Sequence, residues 1–140
     1  MSVQWRHVRY FRREEFDDPH HPGSGDLADG RLVMVLDELR HRTGWPVSIL
    51  AAVDVAGRHG HSSNSYHLAR CGAMAADFVF KTKASVRAQI RTVMAAACGG
   101  TGVYYDWGVA VGFHVDVRPV QQYQVWTRRE GRYLYLVEGP

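Results

Sequence analysis

Cysteine is scarce in this 140-residue chain: Cys71 and Cys98 are the whole complement. Two thiols make neither a disulfide framework nor a four-cysteine zinc site, and they read as buried thiols in a reducing compartment. Long apolar runs are missing, so no segment suits membrane insertion. The stretch Met1–Arg13 carries Trp5, His7 and several arginines but no apolar core of a secretory signal, so a cytoplasmic chain is expected as synthesised. A large excess of one charge is missing too. Seventeen basic and 14 acidic side chains leave +3, too little to imply a nucleic-acid partner, though suited to an anionic polymer. Repeats, low-complexity tracts and linkers are absent. With 46% hydrophobic and 22% charged residues the chain is not of the disordered class, and its length fits one domain over residues 1–140.

The Pro/Gly/Asp-rich stretch Asp17–Gly30 reads as a loop after an N-terminal arm. Leu32, Val35, Leu36 and Leu39 then recur at helical spacing, predicting a helix over Gly30–Arg42 with Asp29 as N-cap and Gly44 as stop. Val47–Ala51 is β-rich. Gly57–Ser65 is a polar loop. Ala75–Phe80 reads as a strand carrying one acid. A second helix is predicted over Lys83–Ala97, with Val86, Ile90, Val93, Met94 and Ala97 on one stripe, capped by Thr82 and ended by Gly99-Gly100. Strands follow at Thr101–Tyr105, Gly112–Val117, Tyr123–Thr127 and Arg132–Val137, the last two joined by a turn at Glu130-Gly131. This order gives an α+β class: a single domain with an antiparallel sheet and helices packed against it.

Eight histidines are many for this length, and three segments place His and Asp where ligands can converge: Ser65-Tyr66-His67, Ala75-Ala76-Asp77, and His114-Val115-Asp116-Val117-Arg118. Two imidazoles and a carboxylate make a three-ligand zinc site with the fourth position open for water. Imidazole favours zinc over magnesium or calcium. His114, Asp116 and Arg118 alternate on one strand face. The same pattern also suits a solvated strand with an Asp116–Arg118 ion pair, and a lone His67 also suits a hydrogen-bonded structural role.

The order of the pieces is more specific than any one of them. Phe11-Arg12-Arg13-Glu14-Glu15-Phe16, Leu36–Arg40, Ser65-Tyr66-His67, Ala75–Phe78, Gly99–Tyr104, Phe113–Arg118 and Trp126 together resemble the zinc D-Ala-D-Ala carboxypeptidase family, which shares its fold with the hedgehog signalling domain. The resemblance covers about residues 10–136. It implies His67, Asp77 and His114 as zinc ligands, Asp116 as general base, and Arg118 as a partner of Asp116 or of a substrate carboxylate. Arg58 is a further candidate for that carboxylate, His61 a contact to a metal ligand or to substrate, and Tyr105 a cleft residue or oxyanion donor. Arg58 and His61 equally suit a solvated loop, and Tyr105 a core or rim aromatic. Ser65 is expected to shape the loop by a local hydrogen bond.

Two departures stand out. His67 and Asp77 are ten apart where the family usually has seven, as if Ala69-Arg70-Cys71 were inserted. Cys71 in that insertion is a candidate fourth, inhibitory ligand, although a thiolate there closes the open position. The family's Glu three residues before the last His is Val111 in this chain, so the proton transfer falls to Asp116, or the domain is non-catalytic. The implied activity is zinc-dependent hydrolysis of peptidoglycan stem-peptide bonds next to a D-amino acid; small size suggests a monomer, and the missing export signal fits a phage-released, virion-associated or cytoplasmic enzyme. The alternative is a zinc-containing structural or binding domain such as a phage tail component. Tyr104 lies at a strand end, Trp107 reads as a rim residue and Trp126 as core. Arg128, Arg129 and Arg132 flank a hairpin and read as a solvated turn or as a contact for an anionic cell-wall polymer, and the tandem His20-His21 reads as exposed.

Overall fold

The chain's alternation of apolar and polar positions resolves into a sheet with two unlike faces. A computed structural model describes residues 1–96, 98–108 and 110–137. In order these form α1 (Gly30–Thr43), β1 (Val47–Ala51), β2 (Ala75–Phe80), α2 (Val86–Met94), β3 (Gly100–Tyr104), β4 (Gly112–Asp116), β5 (Gln124–Arg129) and β6 (Arg132–Val137), with short 3-10 turns between. The architecture is α+β, a single small domain.

Helix α1 starts where Asp29 accepts the Arg31 N–H and ends at Gly44, whose φ of 69° closes the last turn. It buries Leu32, Val33, Leu36 and Leu39 in one core with Val47, Phe78, Phe80, Val103, Phe113 and Val115. Asp37, also buried, accepts the backbone N–H groups of Arg9 and Tyr10 and the Arg9 side chain, which ties the N-terminal arm to α1.

The six strands lie in the order β1-β2-β4-β3-β5-β6. The sheet is mixed rather than antiparallel throughout, because β5 runs parallel to β3. The reason is the connection from β4. Residues 117–123 carry the chain past the end of β3, so β5 enters on the far side of β3. It runs antiparallel to the strand it left and hence parallel to the one it skipped. The hairpin at Glu130-Gly131 forms as expected, both residues having positive φ.

Helix α2 is shorter than its periodicity predicts. Ser85, not Thr82, caps it by accepting the Ala88 N–H, while Thr82 accepts the Ala84 N–H just upstream. Of the expected stripe, Val93 is buried and Ile90 partly so, but Val86 and Met94 are exposed and Ala97 lies outside the described residues. The helix ends at Met94, and Gly100 begins β3 instead of stopping a helix. Both cysteines are free and only partly buried.

Candidate metal centre

Period-two alternation divides each strand between the core and an open cleft. Phe78, Phe113, Val115 and Val103 face the core. Asp77, His114, Gly102, Trp126 and Tyr135 form one row across the other face, each the register partner of the next or one step beside it. A cavity of about 630 Å³ lies over this row. Glycines in β3 make the room. A Cβ on Gly102 would stand 2.5 Å from Trp126 Nε1, and one on Gly100 would collide with the Asp116 carboxylate. Trp126 is therefore buried against the cleft floor rather than in the core, and donates its Nε1–H to the Tyr104 hydroxyl at 3.2 Å. Trp107 stacks on Tyr104 at 4.5 Å between centroids.

His67 reaches the row from the loop before β2. Its backbone N–H donates to Ser65 Oγ, and its Nδ1–H donates to the Ala52 carbonyl at 2.9 Å. That bond leaves the Nε2 lone pair facing Asp77 Oδ2 at 3.3 Å. The segment between His67 and Asp77 coils into a 3-10 turn at Ala69–Cys71 that bulges away and returns, Met74 N–H donating to the Tyr66 carbonyl. The spacing of ten positions between His67 and Asp77 therefore delivers both side chains to one place. Cys71 belongs to this turn and does not line the cavity.

His114 sits between two carboxylates, its Nδ1 2.8 Å from Asp77 Oδ1 and its Nε2 2.8 Å from Asp116 Oδ2. Burial opposes its charge, but the hydrogen bonds to Asp116 and Asp77 win and raise its pKa to about 9. Burial likewise opposes ionisation of Asp77, yet the hydrogen bond and charge of His114 hold its carboxyl well below the usual range. Asp116 is fully buried, not in the cleft. Both its oxygens are taken, by His114 Nε2 and by a two-pronged contact with Arg118 at 2.8 and 2.6 Å, and these bonds overcome burial to keep it ionised. The expected Asp116–Arg118 pair is thus present, but inside the protein. Arg118 also donates to Gln124 Oε1 and lies against Tyr66 and Trp126.

His61 comes closer to the centre than its loop position suggested. It stacks on His67 with centroids 4.1 Å apart, and donates Nδ1–H to buried Asp54 at 2.9 Å. Burial and the neighbouring His67 push its pKa below the ordinary imidazole range. One ligand atom each from His61, His67 and Asp77 falls within 4.8 Å of the others, so this group can hold a metal ion. Arg58 is exposed and Tyr105 packs beneath Arg129; neither lines the cavity. The cavity takes its wall instead from Tyr104, Trp107, Arg128, Tyr133 and Tyr135, with Arg128 anchored on Asp106. Alternation along β5 and β6 was the available signal for that wall.

The donor set fits a metal ion. His67 Nε2 and Asp77 Oδ2 are two acceptors facing each other, an arrangement that a cation between them resolves. The other ring nitrogens of His67 and His61 are already held by Ala52 and Asp54, the kind of outer partner that metal-bound histidines usually have. Among the described residues no helix is long and apolar enough to cross a membrane. No family model matches the chain, and no curated protein or solved structure matches it.

Proposed function

We propose that the chain is a zinc-dependent peptidase of the D-Ala-D-Ala carboxypeptidase kind, hydrolysing peptidoglycan stem-peptide bonds next to a D-amino acid. The observation that carries this reading is the Asp77 carboxylate set between His67 Nε2 and His114 Nδ1, at 3.3 and 2.8 Å, at the base of an open cleft. His67, Asp77 and His114 would hold the ion through those atoms. A zinc ion held there would polarise the scissile carbonyl and lower the pKa of a water.

The chain's own groups then have separate tasks. Asp116 is a positioning residue, since its oxygens are committed to His114 and Arg118 and it has no access to the cleft. The proton transfer expected of it passes to His61, whose Nδ1 is fixed by Asp54 and whose Nε2 is free to accept and return a proton in the cleft. Arg128 on the cleft wall offers a guanidinium for a substrate carboxylate, and Arg118 contributes through Asp116. The exposed aromatics Tyr133 and Tyr135 give the wall its apolar surface.

Metal analysis of the purified chain, with a hydrolysis assay on purified muropeptides, tests the proposal. Bound zinc with release of a D-amino acid or a shortened stem peptide is the expected result. Zinc without turnover favours a binding domain of the same fold, and absence of zinc uptake removes the proposal altogether.

A further inference from the structure

A second group of metal-ligating side chains lies outside the row of Asp77 and His114. Asp18 in the Pro/Gly loop, Asp54 after β1 and His59 in the polar loop each offer one ligand atom, all within 4.8 Å of one another. Both carboxylates are buried, Asp18 to 1% exposure and Asp54 to none. Among the described residues no Arg or Lys pairs with either. The ionic contacts of Asp18 are His59 Nε2 at 2.9 Å and His21 Nδ1 at 3.5 Å, and that of Asp54 is His61. Backbone N–H groups of Val55 and His20 donate to Asp18, and those of Gly57 and Arg58 to Asp54. These bonds orient the oxygens but bring no full positive charge. Two buried carboxylates, kept ionised and brought together with His59, form a set of donors that a cation can share. His21 Nδ1 is itself buried and lacks a hydrogen-bond partner, although the rest of that ring is exposed.

We infer that Asp18, Asp54 and His59 bind a second divalent cation, of the borderline class such as zinc or cobalt that accepts imidazole together with carboxylate. Its place in the fold gives it a task. Asp18 and His59 come from loops 41 positions apart, and the ion fastens the N-terminal loop to the segment 54–61. Asp54 also holds His61 through Oδ2, so the same ion braces the imidazole that faces the first centre. The inference stands on its own residues and does not require the first site to hold zinc.

The test is a stoichiometry. The full chain, stripped with chelator, is titrated with Zn(II) and separately with Co(II), followed by calorimetry and by metal analysis after gel filtration. Two equivalents are expected for the native chain. One is expected for His59→Gln and for Asp18→Asn, and one for His114→Ala, which leaves the Asp18 site whole. A single native equivalent that survives His114→Ala but is lost in His59→Gln supports this site while removing the first. A single equivalent abolished by His114→Ala overturns the inference. Two equivalents retained in both His59→Gln and Asp18→Asn overturn it too, as does uptake of calcium with zinc and cobalt refused. Should His114→Ala or Asp18→Asn fail to fold, His59→Gln decides alone: loss of one equivalent relative to the native chain supports the site, and an unchanged count overturns it.

Discussion

Metal uptake at the His67–Asp77–His114 centre should expel a proton, and the geometry says which one. Without metal, His114 donates from both ring nitrogens to Asp77 and Asp116, and its pKa stands at about 9. A metal takes the Nδ1 position only from the neutral ring, so at pH 7.5 binding must release the proton held between His114 and Asp77. The sign follows: the proton-bound state competes at every pH below about 9, so apparent affinity falls as pH falls. Each pH unit reduces the neutral fraction about tenfold, which predicts roughly a 30-fold stronger zinc affinity at pH 8.5 than at pH 7. Calorimetry in buffers of different ionisation enthalpy reads the proton count directly, with about one proton per zinc expected from this ring. Zinc binding with no net proton release, or an affinity flat across that range, would refute the placement of His114 in the metal shell. The same raised pKa bears on the metal-free protein. Its contribution is complete below the ordinary imidazole value of 6.5 and is lost as pH rises through about 9. Thermal midpoints of the chelated chain should therefore drop between pH 7 and 9, and added zinc should lessen the drop.

Other consequences are equally direct. Asp116→Asn removes the anionic acceptor of His114 Nε2, so zinc affinity should weaken by about 10–100-fold with the fold retained, as metal titration with circular dichroism will show. Unchanged affinity in that variant contradicts the positioning role. His61→Ala should keep stoichiometric zinc at the first centre while muropeptide turnover falls by about 10²–10⁴; full activity returns the proton-transfer role to another group. Gly102→Ala drives a methyl into Trp126 and should cost about 1–3 kcal/mol, measured by urea unfolding, with altered tryptophan fluorescence. Asp18 is held below the usual carboxylate range: burial opposes its charge, but Val55, His20 and His59 outweigh it. That contribution is present above the unfolded value of 3.8 and is lost as pH falls below it, so Asp18→Asn should flatten the loss of urea midpoint on acidification.

Much of the fold could be read along the chain because its causes are local. Asp29 caps α1, Gly44 ends it, and Leu32, Leu36 and Leu39 share one face. The Glu130-Gly131 turn and the strands around it were likewise legible. Sheet order was not. The parallel pairing of β3 with β5 arises from a connection that skips a strand, and no residue pattern marks which neighbour a strand chooses. The cap of α2 was misplaced because Thr82 and Ser85 both bind nearby backbone N–H groups, and only the helix axis decides between them.

At the candidate site, residue chemistry and spacing drew attention to His67, Asp77, His114, Asp116 and Arg118, since side chains two apart on a strand share a face. Their separate tasks depended on depth. Asp116 and His114 are equivalent in alternation, but Arg118 folds back over Asp116 and seals it from the cleft. His61 lies in a loop whose course has no periodicity, so its stacking on His67 and its bond to Asp54 emerged only from the folded chain. Donor types and the strand faces they occupy follow from the order of residues alone, because strand geometry is local. Tertiary structure decided which donors meet and which are shielded from water, because contacts between distant segments depend on how the whole sheet and its loops close.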